Sequence, residues 1–265
     1  MAIHGVLGDI HGNREALEAV LAALDARGVS SLLCVGDLIG YNADPDACVA
    51  MLRERDATCI LGNHDLIGTR RLGFERCSNK AMHSLKRTRR SLAPETLEAI
   101  AALPSHAVLE GHLLLTHGGV RDVQQYMTRP HHVLENARYL QEDFPGVDVC
   151  FFGHTHEQRI FHVHEGNVSE PCREAIAAGG PVTIPEGVCF VNPGSVDASR
   201  KRGEKQAEFA VFDSVARALA FHRVPYAAER TEARASAAGY RIDRWRDRLY
   251  DVQRRVIGPR QVESA

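Results

Sequence analysis

Long hydrophobic runs are missing from this sequence. No apolar stretch approaches the roughly 18 to 20 residues that a helix needs to cross a bilayer. The first residues, MAIHGVLGDIHG, pass directly into a strand-like run and lack the basic region and the apolar stretch of a signal peptide. We therefore expect a cytoplasmic protein that does not bind membranes.

A large excess of charge of either sign is also missing. The chain has 32 Lys and Arg residues against 34 Asp and Glu residues, which leaves a formal net charge of -2. It therefore lacks the positive field that drives non-specific nucleic-acid binding, and we expect none. With 44% hydrophobic and 25% charged residues over 265 positions, the composition is typical of one globular domain with a sizeable core.

Cysteine pairs with a CxxC spacing are absent as well, and the seven cysteines are an odd number. Cys34, Cys59, Cys150 and Cys189 each lie inside an apolar run that is typical of a strand. This distribution favours reduced thiols in the core over a framework of disulfide bonds.

Apolar runs alternate with amphipathic stretches in the N-terminal half. The pattern predicts strands at 3–7, 32–35 and 58–61, with helices at 14–27 and 45–55 between them. This βαβαβ order is typical of a parallel sheet with helices on its faces. Residues 66–104 have a helical pattern and are predicted to be an insertion. From residue 106 onward strands dominate, with one helix near 132–142, which predicts a second sheet that faces the first.

The C-terminal part is predicted to be a separate helical extension. We place the main domain at 1–225 and the extension at 226–265, with a long loop at 165–187. Apolar residues spaced three and four apart form one helical stripe, made up of Ile242, Trp245, Leu249, Val252 and Val256. We expect this stripe to pack on its own domain, and the alternative is a homo-oligomer that forms through the C-terminal helix.

Five short polar motifs follow strand-like segments, where loops converge at the carboxyl edge of a sheet. Their candidate metal ligands are the oxygens of Asp9, Asp37 and Asn63 and the nitrogens of His11, His117, His154 and His156. This mixed set suits a first-row ion such as Mn, Fe, Zn or Co, whereas a magnesium or calcium site would not need four histidines. Seven ligands exceed the need of one ion, so we expect two ions that share Asp37.

The motifs D-x-H, G-D, G-N-H-D, H-G and G-H-x-H, in this order, resemble those of the calcineurin-like metallophosphoesterases. The similarity runs from Leu7 to about Ser195 and includes Asn192-Pro193-Gly194-Ser195, which resembles a loop of small bacterial members. The resemblance implies an α/β fold of two facing β-sheets flanked by helices, a four-layer α/β/β/α sandwich. It further implies one ion on Asp9, His11, Asp37 and His156, and the other on Asp37, Asn63, His117 and His154.

The resemblance also implies a di-metal phosphoesterase mechanism. Two ions about 3.5 to 4 Å apart lower the pKa of a shared water, and the resulting hydroxide attacks phosphorus. His64 is placed beside a ligand without being needed as one, so we expect it to protonate the leaving oxygen, with Asp65 as a supporting partner. Asn13, Tyr41 and Asp65 are the candidate substrate-binding residues.

Two positions after Asp37 bear on the substrate. Serine/threonine protein phosphatases of this superfamily carry an Asp-Arg pair where this chain has Gly40 and Tyr41. The segment GDLIGYNADP instead resembles small bacterial phosphoesterases, which include phosphodiesterases and dinucleoside-tetraphosphate hydrolases. We therefore expect small phosphate esters or nucleotides as substrates. A protein phosphatase and a catalytically silent scaffold of the same fold are the alternatives.

The missing arginine raises the question of where a polyphosphate substrate would find positive charge. Two basic clusters are candidates, Lys86-Arg87 with Arg89-Arg90 and Arg200-Lys201-Arg202. Each cluster is either a solvated face or a source of that charge.

Overall fold

The computed structural model of the chain describes residues 3–171, 176, 180–198 and 203–257, with side chains as far as residue 253. Within these ranges, twelve strands form two mixed sheets, and eight helices have defined boundaries. The helices lie on the outer faces of the sheets. The arrangement confirms the α/β sandwich expected from the sequence. None of the described helices combines the length and hydrophobicity required to cross a bilayer.

The first sheet is built around three parallel strands. In spatial order its strands are β3 (Thr58–Cys59), β2 (Ser31–Cys34), β1 (Ile3–Leu7), β11 (Gln206–Asp213), β12 (Ala218–Pro225) and β9 (Pro181–Thr183). Strands β1, β2 and β3 pair in parallel, whereas β11, β12 and β9 add antiparallel ladders beside β1.

The second sheet also contains three parallel strands. Its order is β4 (Ala107–Leu109), β5 (Leu113–Leu115), β6 (Val149–Phe151), β10 (Val188–Asn192), β7 (Arg159–His164) and β8 (Asn167–Ser169). Strands β5, β6 and β10 pair in parallel, and β4 and β7 border them in antiparallel orientation.

Helices cover the outer faces of both sheets. The first sheet is covered by α1 (Arg14–Asp25), α2 (Pro45–Glu54), α3 (Asn63–Gly68), α4 (Asn79–Ser91) and α5 (Pro94–Ala101), and the second by α6 (Pro130–Asp143). In α1 the buried residues recur three and four apart, so that Leu17, Val20, Leu21 and Leu24 face the sheet. A separate apolar cluster fills the space between the sheets, and it includes Val6, Phe151 and Phe212.

The described cysteines belong to these cores. Cys34, Cys48, Cys59, Cys77, Cys150 and Cys189 are buried with free thiols, as the sequence predicted, whereas Cys172 lies outside the described residues.

The prediction that the second half of the chain forms its own facing sheet is wrong for three strands. β9, β11 and β12 join the first sheet, where β11 pairs with β1 from Ile3–Asp213 to Val6–Ala210. Without β11, the backbone groups along one side of β1 would lack ladder partners, and burying such groups unpaired is costly. The prediction of a long loop at 165–187 is also wrong in part, because β8 and β9 lie within it.

The C-terminal region contains α7 (Ala228–Ala237) and α8 (Arg244–Ile257). Helix α7 is anchored to α1, because Thr231 Oγ1 donates hydrogen bonds to Asn13 Oδ1 and Glu15 Oε2 at 3.0 and 2.9 Å. Helix α8 lies beside α4, where Asn79 Nδ2 donates to the carboxylates of Asp247 and Asp251. The domain boundary at residue 225 stays a prediction.

The prediction that the C-terminal apolar stripe packs on its own domain is wrong for three of its residues, whereas Ile242, which precedes α8, is half-buried. Trp245, Leu249 and Val252 are 60%, 44% and 54% exposed. Helix α8 instead turns Tyr250 toward the core and Asp247 toward α4, which leaves the stripe on the solvent side. The side chain of Val256 lies outside the described residues. Oligomerisation through this helix stays a prediction.

Candidate metal centre

The motif loops meet because they follow the parallel strands of the two sheets. The main-chain amide of Asp9 donates to Gly36 O at 2.9 Å, which joins the loops after β1 and β2. The amide of His154, after β6, donates to the Asp9 carboxylate at 3.1 Å and joins the second sheet to the first. The carboxyl ends of both parallel sets therefore form one continuous site.

Five of the candidate ligands have a backbone conformation that non-glycine residues rarely adopt. Their φ angles are positive, at 50° for Asp9, 52° for His11, 55° for Asp37, 66° for His154 and 59° for His156. Such conformations cost free energy and persist only where the surroundings enforce them, most often at functional sites. Here the left-handed turns direct side chains from separate loops toward one centre.

Asp9, His11 and His156 form the first cluster of potential ligands, and all three are buried. The Nε2 atoms of His11 and His156 lie 3.2 Å apart, and His156 Nε2 lies 3.3 Å from Asp9 Oδ1. His11 Nδ1 lies 3.2 Å from Ile39 O, so a proton on Nδ1 would be satisfied there and leave Nε2 as a lone-pair donor. Two imidazole nitrogens and a carboxylate that converge in this way fit a cation.

Asp37, His117 and His154 form the second cluster, and Asn63 lies beside it. His117 Nε2 is 3.1 Å from Asn63 Oδ1 and 3.3 Å from Asp37 Oδ2. His117 Nδ1 lies 2.7 Å from Val35 O, the kind of contact that fixes a metal-ligating imidazole in one tautomer. Buried His154 Nε2 has no hydrogen-bond partner among the described residues, as expected of an atom that binds a metal ion.

Asp37 lies between the two clusters. Its Oδ2 is 3.3 Å from His117 Nε2 in one cluster and 3.7 Å from His11 Nε2 in the other. His64 is close as well, since His11, Asp37 and His64 also form a group with ligand-like spacing. The donor set is therefore continuous across both clusters, with Asp37 at its centre.

The electrostatics of the site favour the ionisation states that ligands need at His11, His154 and Asp9, but not at His117. Burial would lower the pKa of His117, but the negative charge of Asp37 outweighs burial and raises the pKa to about 9, so a metal ion must displace a proton there. Burial, and after it the neighbouring His64, lowers the pKa of His11 well below its usual value. Burial and the charge of His117 lower the pKa of His154 to about 3. Burial alone would raise the pKa of Asp9, but the contacts with His156 outweigh it and leave the pKa lowered. Neutral imidazoles beside ionised carboxylates are the forms that bind metal ions.

Comparison with known proteins identifies the family. The calcineurin-like phosphoesterase superfamily domain matches residues 1–217 of the chain. The chain belongs to this family. It is a metallophosphoesterase, a metal-dependent hydrolase of phosphate esters, and its Asp and His clusters are suited to bind the metal.

Individual relatives agree with the family match. An uncharacterised protein of Methanocaldococcus jannaschii, MJ0912, is 27% identical over 231 residues, which are 83% of this chain and 86% of that protein. A metallophosphoesterase from Sphaerobacter thermophilus has a similar structure, with a TM-score of 0.71, 28% identity and coverage of 93% and 97% of the two chains. The hypothetical protein PH1004 from Pyrococcus horikoshii shares the fold, with a TM-score of 0.70 at 16% identity, over 94% and 97% of the chains.

The three candidate substrate-binding residues occupy different environments in this metallophosphoesterase. Tyr41 borders the centre, with its ring 4.7 Å from the His11 ring and 4.8 Å from the His64 ring. Asn13 is fully buried, where it caps α1 and donates to Asp197 Oδ1 at 2.9 Å. Asp65 is also fully buried, and its carboxylate accepts hydrogen bonds from three main-chain amides, those of Gly62, Leu38 and Ile39. The structure thus brings Tyr41 to the pocket and holds Asn13 and Asp65 beneath the loops.

A pocket of about 680 Å³ adjoins the candidate metal centre of the enzyme. Four residues of the candidate site form its floor: Asp37, Asn63, His64 and His154. The start of α4 and the segment before it form one wall, Gln124 and Tyr126 another, and the C-terminal segment around Tyr240 and Arg241 a third. The volume is within the range of pockets that bind small molecules.

Several residues that line this pocket could not be predicted from the five sequence motifs. Tyr126 is 46% exposed, and its ring centroid lies 4.0 Å from that of His154. Arg241 donates to Tyr41 O at 2.7 Å and is paired with Glu232 at 2.6 Å. Arg76 is paired with Asp122, whereas Lys80 has no ion pair to any described residue. The only local signal was their polar or aromatic character, which surface residues share.

The basic clusters considered in the sequence do not line this pocket in the described part of the chain. Lys86, Arg87 and Arg90 line a different cleft, and Arg89 donates to Ile67 O at 2.9 Å. The segment Arg200-Lys201-Arg202 lies outside the described residues.

Proposed function

We propose that this metallophosphoesterase hydrolyses phosphodiesters of small molecules, or nucleotides, with two transition-metal ions such as Mn, Fe, Zn or Co. The observation that carries the proposal is the pocket itself. Its floor consists of candidate metal ligands and His64, and its walls hold three tyrosines and a lysine without an acidic partner among the described residues. Such a pocket suits a compact ester with an apolar or aromatic group and a second negative charge.

Each ion has its own set of protein ligands in this proposal. Asp9, His11, Asp37 and His156 would hold one ion, and Asp37, Asn63, His117 and His154 the other. When bound, the ions supply Lewis acidity that activates water and neutralises charge on the phosphoryl oxygens. The position of Asp37 Oδ2 between the nitrogens of His11 and His117 supports its role as the shared ligand.

His64 is the proposed general acid. It is 3% exposed, and it lines the pocket floor beside the candidate ligands. Its main chain is fixed by Asp37, and its ring packs against the rings of His11 and Tyr41 at 4.6 and 4.8 Å. A side chain held in this way can deliver a proton to the leaving oxygen without first reorganising.

The walls of the pocket support a preference for small esters over phosphoproteins. The C-terminal segment and the start of α4 both line the pocket, so a phosphorylated side chain on a folded protein would have to enter beside them. Tyr41 and Tyr126 offer aromatic surface near His64 and His154, on which a base or an aryl group can stack. Lys80 offers a charge for a second phosphate.

The test is a substrate comparison on manganese-loaded protein. Rates should be measured with an aryl phosphodiester, an aryl phosphomonoester, a dinucleoside polyphosphate and a phosphoserine peptide, at matched concentrations. We expect kcat/KM to be highest for the diester or the nucleotide. Efficient peptide dephosphorylation with poor turnover of both would favour the protein phosphatase alternative and contradict the proposal.

A further inference from the structure

A second cleft lies away from the metal centre, between α4, the end of α7 and α8. Its volume is about 360 Å³, and none of its lining residues lines the metal pocket. Helix α4 contributes His83, Lys86, Arg87 and Arg90, and α8 contributes Arg246 and Tyr250. Residues 237–239, at the end of α7, complete the cleft.

The charges in this cleft are all of one sign. Arg90 lies four residues after Lys86 and three after Arg87, and residues three and four apart in a helix are surface neighbours, so Arg90 adjoins both on one side of α4. Arg246 approaches from α8 on the opposite side. Among the described residues, no carboxylate lines the cleft, and Arg87, Arg90 and Arg246 form no ion pair with any of them. The guanidinium groups of Arg87, Arg90 and Arg246 therefore share the cleft with the Lys86 ammonium, and none of these three arginines has a counter-charge from the described residues.

Lys86 is the most enclosed of the four cations. Its ammonium lies 5.6 Å from the centre of the Tyr250 ring and 5.9 Å from that of Phe74. Burial, and after it the positive charge of Arg90, lowers the pKa of Lys86. The neighbouring arginines thus act on Lys86 through repulsion, and a bound anion would relieve that repulsion.

We propose that this cleft is a binding site for a compact polyphosphate anion, such as pyrophosphate or the phosphate chain of a nucleotide. Guanidinium groups match the geometry of phosphate oxygens and bind them through paired hydrogen bonds. A single phosphate monoester carries about two negative charges at neutral pH, which is fewer than the three guanidinium groups of the cleft. Two or more linked phosphates balance the cleft better.

The position of the cleft gives the anion a structural consequence. Gly239 forms part of the cleft, and His83 Nε2 lies 3.1 Å from its carbonyl oxygen. Tyr240, Arg241 and Ile242, which follow directly, line the metal pocket. An anion that bridges Arg90 and Arg246 would hold α8 against α4. It would thereby stabilise the position of residues 240–242, which line the pocket at the candidate metal centre.

Another role for the same cations is to offset the negative end of the α7 dipole, because the last residues of that helix line the cleft. In that case they would bind no anion. Calorimetric titration of the metal-loaded protein with methylenebisphosphonate separates the two roles, since this probe carries the charge of pyrophosphate on a backbone that phosphoesterases cannot cleave. The test variant is Arg87→Gln/Arg90→Gln. The matched control is Arg244→Gln/Arg248→Gln, which removes two exposed arginines of α8 that do not line the cleft.

We expect the wild type and the control to bind the probe alike, and the test variant to lose that binding event or weaken it about tenfold or more. Binding at the metal centre would be common to all three proteins and would not differ between them. Equal binding by the test variant and the control would overturn the proposal. Orthophosphate that binds as tightly as the probe would overturn the requirement for linked phosphates. Titration with a nucleotide that carries the same methylene-linked phosphates would then show whether the site binds the nucleoside in addition to the phosphate chain.

Discussion

The main-chain amide of His64 donates a hydrogen bond of 2.8 Å to Oδ1 of Asp37. The bond joins the loop of the proposed general acid to that of the proposed shared ligand. It also leaves Asp37 Oδ2 as the oxygen that faces the nitrogens of His11 and His117. A change at Asp37 should therefore affect both metal binding and the placement of His64, whereas a change at His64 should leave the metal ligands in place.

Replacing Asp37 tests the shared-ligand assignment. Asp37→Ala should lose both metal ions, because a bridging carboxylate belongs to the coordination of each. Metal content per chain after manganese loading, measured by elemental analysis, is the readout. The exposed residue Asp56, with φ near 49°, gives a control in Asp56→Asn, since asparagine tolerates this conformation. One tightly held ion in Asp37→Ala would contradict the bridging role.

His64→Ala should retain both metals and the fold, because it removes no assigned ligand. A positioned acid contributes about 10² to 10⁴-fold, so turnover of an ester with a poor alkoxide leaving group should fall by that order. An aryl ester should be affected much less, because its leaving group departs without protonation. The turnover rates of wild type and His64→Ala should be compared for both esters, with metal content determined in parallel. An equal loss for the two esters would remove His64 from the acid role.

Gly40 gives His64 the space that its ring occupies. A Cβ at this position would lie 2.3 Å from His64 Nδ1, and the φ of +99° disfavours any side chain. Gly40→Ala should displace the imidazole and lower kcat by about 100-fold for the alkyl ester, while the protein keeps its metals. Gly111→Ala is the control, since it has a φ of +74° but open space around the added carbon. Unchanged kcat in Gly40→Ala would show that catalysis does not depend on the His64 ring position that Gly40 permits.

Lys80 tests the proposed second phosphate contact. Lys80→Ala should raise the KM for a dinucleoside polyphosphate about tenfold, because an ionic hydrogen bond to phosphate is lost. The KM for a simple aryl phosphomonoester should stay unchanged, since that substrate carries no second phosphate. Lys80→Arg should restore most of the lost affinity. A similar rise in KM for both substrates would indicate a general effect on the pocket.

Arg241 tests the contribution of the C-terminal segment. It donates to Tyr41 O and Asn42 Oδ1 at 2.7 and 3.1 Å, and Tyr41 has a positive φ of 48° that its surroundings must maintain. Arg241→Ala should therefore raise the KM for all substrates about tenfold without loss of metal. Arg244→Ala, on the first turn of α8, removes the same charge away from the pocket. Equal kinetics in the two variants would show that this anchor does not shape the pocket.

The sequence alone was sufficient to predict the family, the layered fold and the metal-ligand candidates. Each candidate ligand lies within a few residues of the end of a strand, as Asp9 does after β1 and His154 after β6. The carboxyl ends of parallel strands meet at one edge, so local motifs are enough to predict that such residues come together. The spacing of apolar residues also predicted the helices, because helical periodicity depends only on residues that are near one another in the chain.

Only the tertiary structure decided which residues surround that centre. Arg241 reaches the carbonyl of Tyr41 across 200 positions of sequence, and no local pattern records such a distance. No local pattern predicts the position of β11 either, because its pairing beside β1 follows from the need to satisfy backbone hydrogen bonds. The exposure of Trp245 is likewise not predictable from local sequence, because it depends on which face of α8 lies against α4. Periodicity predicts that a helix has an apolar face, but the packing of the whole molecule determines whether that face is buried.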